Sequence, residues 1–250
     1  MSRAPYESFR RLGRLFCMTH LTVLAFVFVP TLFQLPAAAQ ENTAQQSSSE
    51  AKDIAATVQS FYNQTSGVEA AFHQTYVHKL YNKTERSKGK VLFVKPGKMR
   101  WDYAKPNGKV IVTDAEKLLV FEPGDKGEEA QLFESTISEE SLPAAFSFLT
   151  GAGKLEDNFV FSLVDSKKAG FDKGDVLQLR PKKPSPQYER VLLYVLSKDG
   201  KSTGIVQRVL IVDNQGNRNR FDFSKFKWNP KSTSKSFKLK VPKGTRRIRT

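Results

Sequence analysis

Cysteine is almost missing from this chain of 250 residues. The single one is Cys17, inside an apolar N-terminal stretch. Beyond that stretch no disulfide framework, thiol nucleophile or Cys-based metal site can form. Histidine is scarce as well, with only His20, His73 and His78. The last two stand five apart, a spacing that sends them to opposite faces of a strand and makes a shared metal ion a poor prospect. No G-x-S-x-G, phosphate-binding loop or H-E-x-x-H pattern occurs. Glu139-Glu140 could form an acid–base pair, but they stand where a helix should start, and acidic residues there favour the helix dipole. These gaps argue against an enzyme and imply no cofactor and no metal. Acidic residues are also few, 25 against 40 Lys and Arg, a formal net charge of +15. Such an excess suits nucleic acid, an anionic membrane surface or an acidic partner.

The first 39 residues read as a cleaved signal peptide. Arg3, Arg10, Arg11 and Arg14 precede a mostly apolar run from Leu15 to Phe33, and Ala37-Ala38-Ala39 offers a small-residue cleavage site. Cys17 lies too early to be a lipidation site. Export follows from this reading, and it disfavours nucleic acid as a partner. Residues 40–49, QENTAQQSSS, carry no apolar periodicity and read as a flexible leader.

The distinctive material comes next. Ile54, Val58 and Phe61 recur at helical spacing, with Ser47 and Glu50 spaced as a capping box and Gly67 beyond the end. From about residue 72 the pattern becomes short β runs separated by turn signals. Val91 to Val94 reads as buried on both faces. Met99, Trp101 and Tyr103 share one face of the next run, with Lys98, Arg100 and Asp102 on the other. Further runs are Val110–Thr113, Leu118–Phe121, Phe159–Val164, Val176–Arg180, Tyr188–Leu196, Ile205–Val212, Arg220–Trp228 and Phe237–Val241. Residues 138–151 interrupt the rhythm as a predicted helix. Leu142, Phe146 and Leu149 form its apolar stripe, Ser141 is its N-cap, and Gly151 stands near its end. About ten or eleven strands joined by short turns predict a meandering antiparallel sheet or barrel, with a helix lying across it. Whether the concave side is filled or left open as a cavity stays undecided by composition. The last twenty residues hold eight Lys or Arg and no acidic residue. They suit lipid head groups or an acidic partner, and equally a solvated edge strand protected by its charge.

Several stretches, in fixed order, resemble the LolA family of periplasmic lipoprotein carriers. They are Ala71-Phe72-x-Gln74, Gly89 to Tyr103 (GKVLFVKPGKMRWDY), Pro106 with Val110 to Asp114, Leu118 to Pro123, Asp213-x-x-Gly216-Asn217 with Phe221-Asp222-Phe223, and Phe237-x-Leu239-x-Val241-Pro242-x-Gly244. The resemblance covers residues 50–245 and leaves 246–250 as a basic tail. It implies a mainly β fold: an unclosed antiparallel β-barrel of about eleven strands, with short α-helices forming a lid over an apolar cavity. It also implies a soluble periplasmic chaperone and no enzyme. Such a chaperone binds the acyl chains of lipoproteins released from the inner membrane and hands them to an outer-membrane acceptor. An inner-membrane ABC-type lipoprotein exporter would load it and an outer-membrane lipoprotein receptor would unload it, with the carrier acting as a monomer. A carrier of another lipid or glycolipid, or an envelope-sensing β-domain without transport, are the alternatives. The cargo-binding candidates are Leu92, Val94, Met99, Trp101, Tyr103, Leu118 and Val120 on the sheet and Leu142, Phe146 and Leu149 on the lid. The sequence leaves open which sheet face lines the cavity. Lys95 stands where the family has an arginine that tethers the lid, keeping the charge but not the planar five-donor fork. The family's Asp-Gly is Asp114-Ala115 here, and its following Trp is Leu119.

Overall fold

The computed structural model describes residues 37–114, 116–125, 127–136 and 153–249. From Ala38 onward they belong to one compact unit. The predicted helix at 138–151, with Leu142, Phe146, Leu149 and the Glu139-Glu140 pair, lies outside the described residues.

One helix, α1 (Ala37–Asn63), precedes the sheet. It starts ten residues ahead of the Ser47–Glu50 signal and runs through the stretch expected to be a flexible leader. The stretch permits this because Ala, Gln and Glu, all good helix formers, make up much of it. Twelve strands follow: β1 (Gly67–His78), β2 (Lys83–Val94), β3 (Lys98–Tyr103), β4 (Val110–Asp114), β5 (Lys117–Glu122), β6 (Gln131–Thr136), β7 (Phe159–Val164), β8 (Gly174–Pro181), β9 (Arg190–Lys198), β10 (Lys201–Val212), β11 (Arg218–Trp228) and β12 (Arg246–Arg249). A single turn of helix, α2 (Leu155–Asn158), leads into β7. The strands form one sheet in the order β12-β6-β5-β4-β3-β2-β1-β11-β10-β9-β8-β7. Its two ends, β12 and β7, do not pair with each other, so the barrel is unclosed. Neighbours are antiparallel except β12, which runs parallel to β6.

Local chemistry explains the register. In β3 the alternation buries Met99 and Trp101, opposite Phe93 and Val91 of β2. Asp199 and Gly200, both at positive φ, form the two-residue connection between β9 and β10 that suits the right-handed strand twist. Gly204 interrupts the β9–β10 register, and a Cβ there would lie 2.7 Å from both Phe61 Cβ and the Thr57 carbonyl oxygen. Glycine at this point lets α1 lie directly on the sheet. Ala51, Ile54, Ala55, Val58 and Tyr62 of α1 are buried there with residues from β1, β2, β3 and β8 to β11, forming the main core. A smaller cluster of Phe171, Val176, Leu192 and Tyr194 covers part of the opposite face.

Two terminal features differ from the sequence reading. Phe237 to Val241 alternates like a strand, yet Ser234–Phe237 forms a 3₁₀ turn closed by a reciprocal Thr233–Ser236 capping box. Phe237 is buried, and Arg100 donates to the Ser236 and Lys238 carbonyl oxygens at 3.3 and 3.2 Å, which uses groups a strand would need for a partner. The basic tail supplies the strand instead. Arg246 N–H donates to Ala130 O at 2.9 Å, and Arg247 and Arg249 pair with Glu134 at 2.8 and 3.3 Å.

Candidate functional site

The sheet face toward α1 is apolar and aromatic. Phe72 lies edge-on to Trp101 and to Tyr103, each with ring centres 4.9 Å apart. Trp101 also meets Phe221 at 5.2 Å and Phe93 at 5.6 Å. Gly89 makes room for this cluster, because a Cβ there would come within 2.8 Å of the Phe72 ring. Nearer the end of α1, Phe61 packs edge-on to Trp228 at 4.9 Å, and Phe226 stacks on Trp228 at 5.1 Å. Edge-to-face contacts of this kind add to the stabilisation from burial itself.

The register decides which predicted residues share this face. Met99 and Trp101 are on it and buried, at 3% and 4% exposure. Tyr103 is half-buried beside them. Leu118 and Val120 are on it too, because Leu118 pairs with Thr113 and Val120 with Ile111, which in turn oppose Met99 and Trp101. Leu92 and Val94 are not brought together with them. They alternate with the buried Val91 and Phe93 and stand opposite Arg100 and Lys98 on the outer face. The sequence reading placed Val91 and Phe93 in a doubly buried strand without assigning them to the site. It also left out Tyr62, Phe72, Phe221 and Phe223. The alternation of Phe221, Asp222 and Phe223 was the available signal.

A cavity lies beneath the last turns of α1, lined by Tyr62, Val68, Ala70, Val91, Phe93, Val206, Phe223 and Phe226. Its volume is only about 10 Å³, marginal for one water molecule. The side chains of α1 therefore fill the space that the curved sheet encloses. On its other flank α1 borders a groove of about 1,100 Å³, where Lys52, Asp53, Gln59 and Asn63 face Leu155, Phe159 and Phe161. Gln59 crosses to this side and accepts the Leu155 N–H at 2.9 Å.

Polar ties fix the end of α1. Lys95 Nζ donates to the Tyr62 carbonyl oxygen, placing a cation at the negative end of the helix dipole. Partial burial pushes the Lys95 ammonium below the usual lysine range. Asn229 Oδ1 accepts from the Ser66 N–H at 2.8 Å, and the Asn229 N–H donates to Gly67 O at 2.9 Å. The Val206 N–H donates to the Tyr62 hydroxyl at 3.3 Å. Burial raises the phenols of Tyr62 and Tyr103, the latter to about 12, so both stay neutral and suit an apolar surface. Of the two histidines, His73 stands exposed opposite Lys88 and Asp222, and His78 lies 4.0 Å from Glu85 at the far end of the β1–β2 hairpin. The arrangement is suited to sequestering apolar chains by burial.

The chain is similar in sequence to known proteins. The family model described as outer membrane lipoprotein carrier protein LolA matches residues 63–240. An outer-membrane lipoprotein carrier protein of Methylobacillus flagellatus is 29% identical over 188 residues, covering 75% of this chain and 85% of that one. One from Dechloromonas aromatica is 29% identical over 185 residues, covering 74% and 82%. Among solved structures, a LolA superfamily protein from Nitrosomonas europaea aligns with a TM-score of 0.44 at 15% identity, covering 76% of this chain and 97% of that one.

Proposed function

The chain belongs to the LolA family of outer membrane lipoprotein carrier proteins, and from that premise we propose how its sheet and α1 together carry acylated lipoproteins across the periplasm. The observation that supports the mechanism most directly is the closed apolar face. Ile54, Val58 and Tyr62 of α1 occupy the region where acyl chains would lie, and the cavity left beneath the helix's last turns is only about 10 Å³. The empty carrier thus shields its own aromatic surface, which would otherwise be an aggregation hazard. Loading exchanges these side chains for lipid, with Phe72, Phe93, Met99, Trp101, Phe221 and Phe223 as the floor. Tyr103, Leu118 and Val120 extend that floor toward β5. Leu142, Phe146 and Leu149, outside the described residues, are proposed as further cargo-binding side chains.

Each buried methylene contributes about 0.8 kcal/mol, so releasing one long chain into water would cost on the order of 10 kcal/mol. The carrier therefore passes cargo directly from one apolar site to another. An inner-membrane ABC-type exporter supplies it and an outer-membrane receptor takes it, with the carrier monomeric between them. The 1–39 segment is removed after Ala39 on export.

Lys95 is the tether in this scheme. It holds the C-terminal end of α1 through the Tyr62 carbonyl, and loading breaks that bond. Lys95→Leu should weaken the closed empty state and leave cargo stranded on the carrier; unchanged loading and transfer would remove Lys95 from the mechanism. Native mass spectrometry of protein purified from the periplasm tests the function itself. Adducts with the mass of acylated lipoprotein are expected, whereas a glycolipid adduct would redirect the reading to a different cargo. An empty protein that also fails to bind apolar dyes would count against any carrier role.

A further inference from the structure

The β1–β2 hairpin carries an apolar tip that the folded core does not use. Residues 79–86 are all exposed, so the outer part of the hairpin stands clear of the packed sheet. Leu80 and Tyr81, at 84% and 76% exposure, are adjacent in its connection and are the most exposed large apolar side chains among the described residues. Turns normally take Gly, Asn, Asp or Ser for conformational reasons. Here Asn82, at φ 47°, supplies the left-handed residue, and neither Leu80 nor Tyr81 is needed for the turn. Among the described residues the Tyr81 ring meets one aromatic neighbour, His78, at 6.3 Å.

The tip is nevertheless held in place. Asn217 Oδ1, from the β10–β11 turn, accepts the Lys79 N–H at 2.9 Å, and the Lys79 stem lies over Gly216. Two turns are thereby locked together at one end of the sheet. Cations surround them. Lys79 and Lys83 flank the apolar pair directly. On the convex side Arg86 and Arg220 stand on either side of Thr75, with Lys88 and Arg218 close by in the ladder. The offsetting acids are few: Glu85 pairs with Lys83 at 2.8 Å, Asp222 with Arg220 at 2.8 Å, and Asp213 accepts backbone N–H groups of its own turn.

We propose that this fixed finger is a membrane-contact element, in which Leu80 and Tyr81 enter the interface of a bilayer containing anionic phospholipid while the flanking lysines meet its head groups. Two exposed apolar side chains are too little for a protein-binding core, but they suit shallow insertion. Tyrosine prefers the head-group level, and lysine can lay its stem along the surface while its ammonium stays in water. Each lysine near an anionic surface strengthens binding about fivefold. The inference goes beyond cargo binding and stands without it.

The mature chain from Gln40 is used, so that the apolar run at 15–33 contributes nothing to vesicle binding. Its Tyr81→Trp variant, purified from the periplasm, is mixed with phosphatidylglycerol-containing vesicles, with and without brominated acyl chains, and its emission is compared with that of the parent protein. A blue-shifted component quenched by bromine is expected. It should weaken about 25-fold when Lys79→Ser and Lys83→Ser are added, and at least as much in purely phosphatidylcholine vesicles. Added emission that stays water-like and unquenched in anionic vesicles overturns the proposal, as does quenching equal in neutral and anionic vesicles.

Discussion

The two ends of the β1–β2 hairpin share one ladder of twelve cross-strand pairs and have opposite chemistry. At the base, Val68, Ala70, Phe72, Val91 and Phe93 are buried under α1. At the tip, eight successive residues are exposed, and beyond the ladder the described ties are the Asn217 hydrogen bond and short ion pairs. Backbone pairing alone therefore does not determine what a strand is for. The base is stabilised by packing and can be damaged by changes of volume. The tip is stabilised by a few polar ties and tolerates changes of side chain, which frees it for contact with something outside the protein.

That contrast can be broken at several strengths. Trp101→Ala at the base should cost about 3–5 kcal/mol by large-to-small substitution in a core, seen as a lower denaturant midpoint; a loss below about 1 kcal/mol would mean the face is not packed as described. Gly204→Val should cost roughly 2–4 kcal/mol, because it drives a branched side chain into Phe61 and Thr57 at a φ of 77°. It should also raise dye binding by lifting α1. At the tip, Asn217→Ala should cost only about 1 kcal/mol for an exposed hydrogen bond, with faster amide exchange confined to residues 79–83. Leu80→Ser should leave stability within about 0.5 kcal/mol while abolishing quenching by brominated lipid at the finger.

A pH titration probes the buried base. Burial holds the Tyr103 phenol at about 12, above its ordinary 10.0. Below pH 10 the folded and unfolded chains both keep this proton and stability does not change on its account. Above pH 10 the unfolded chain loses it first, so stability should fall steadily up to about pH 12. Tyr103→Phe should flatten that part of the curve.

Much of the base was legible from sequence because burial on one face writes a period of two into the residues. Met99, Trp101 and Tyr103 are the plain case, and Phe159–Val164 was found with its observed bounds. The tip and β6 were not legible. Lys83 to Lys90 is paired along its whole length, but none of its residues is buried, so polar residues suffice and no pattern results. Gln131–Thr136 has one fully buried residue, Leu132, too little for a periodic signal. The misassigned Phe237–Val241 run shows the converse, since its alternation reflects a segment lying over β3 and β4 with Phe237 turned inward. For the site, alternation offered two faces and no means of choosing. Only the register placed Leu118 with Met99 and set Leu92 apart from Trp101.

The parallel pairing of β12 with β6 has a consequence for biogenesis. Arg247 and Arg249 meet Glu134 across 113 and 115 residues of chain. A polypeptide threaded across a membrane from its N-terminus delivers β6 long before β12. Until residues 246–249 arrive, the β6 edge presents unpaired backbone groups, a template for any passing strand. The sheet is therefore most vulnerable to misassociation during its own secretion, and the arginines of β12 act, on arrival, as the clasp that closes this interval.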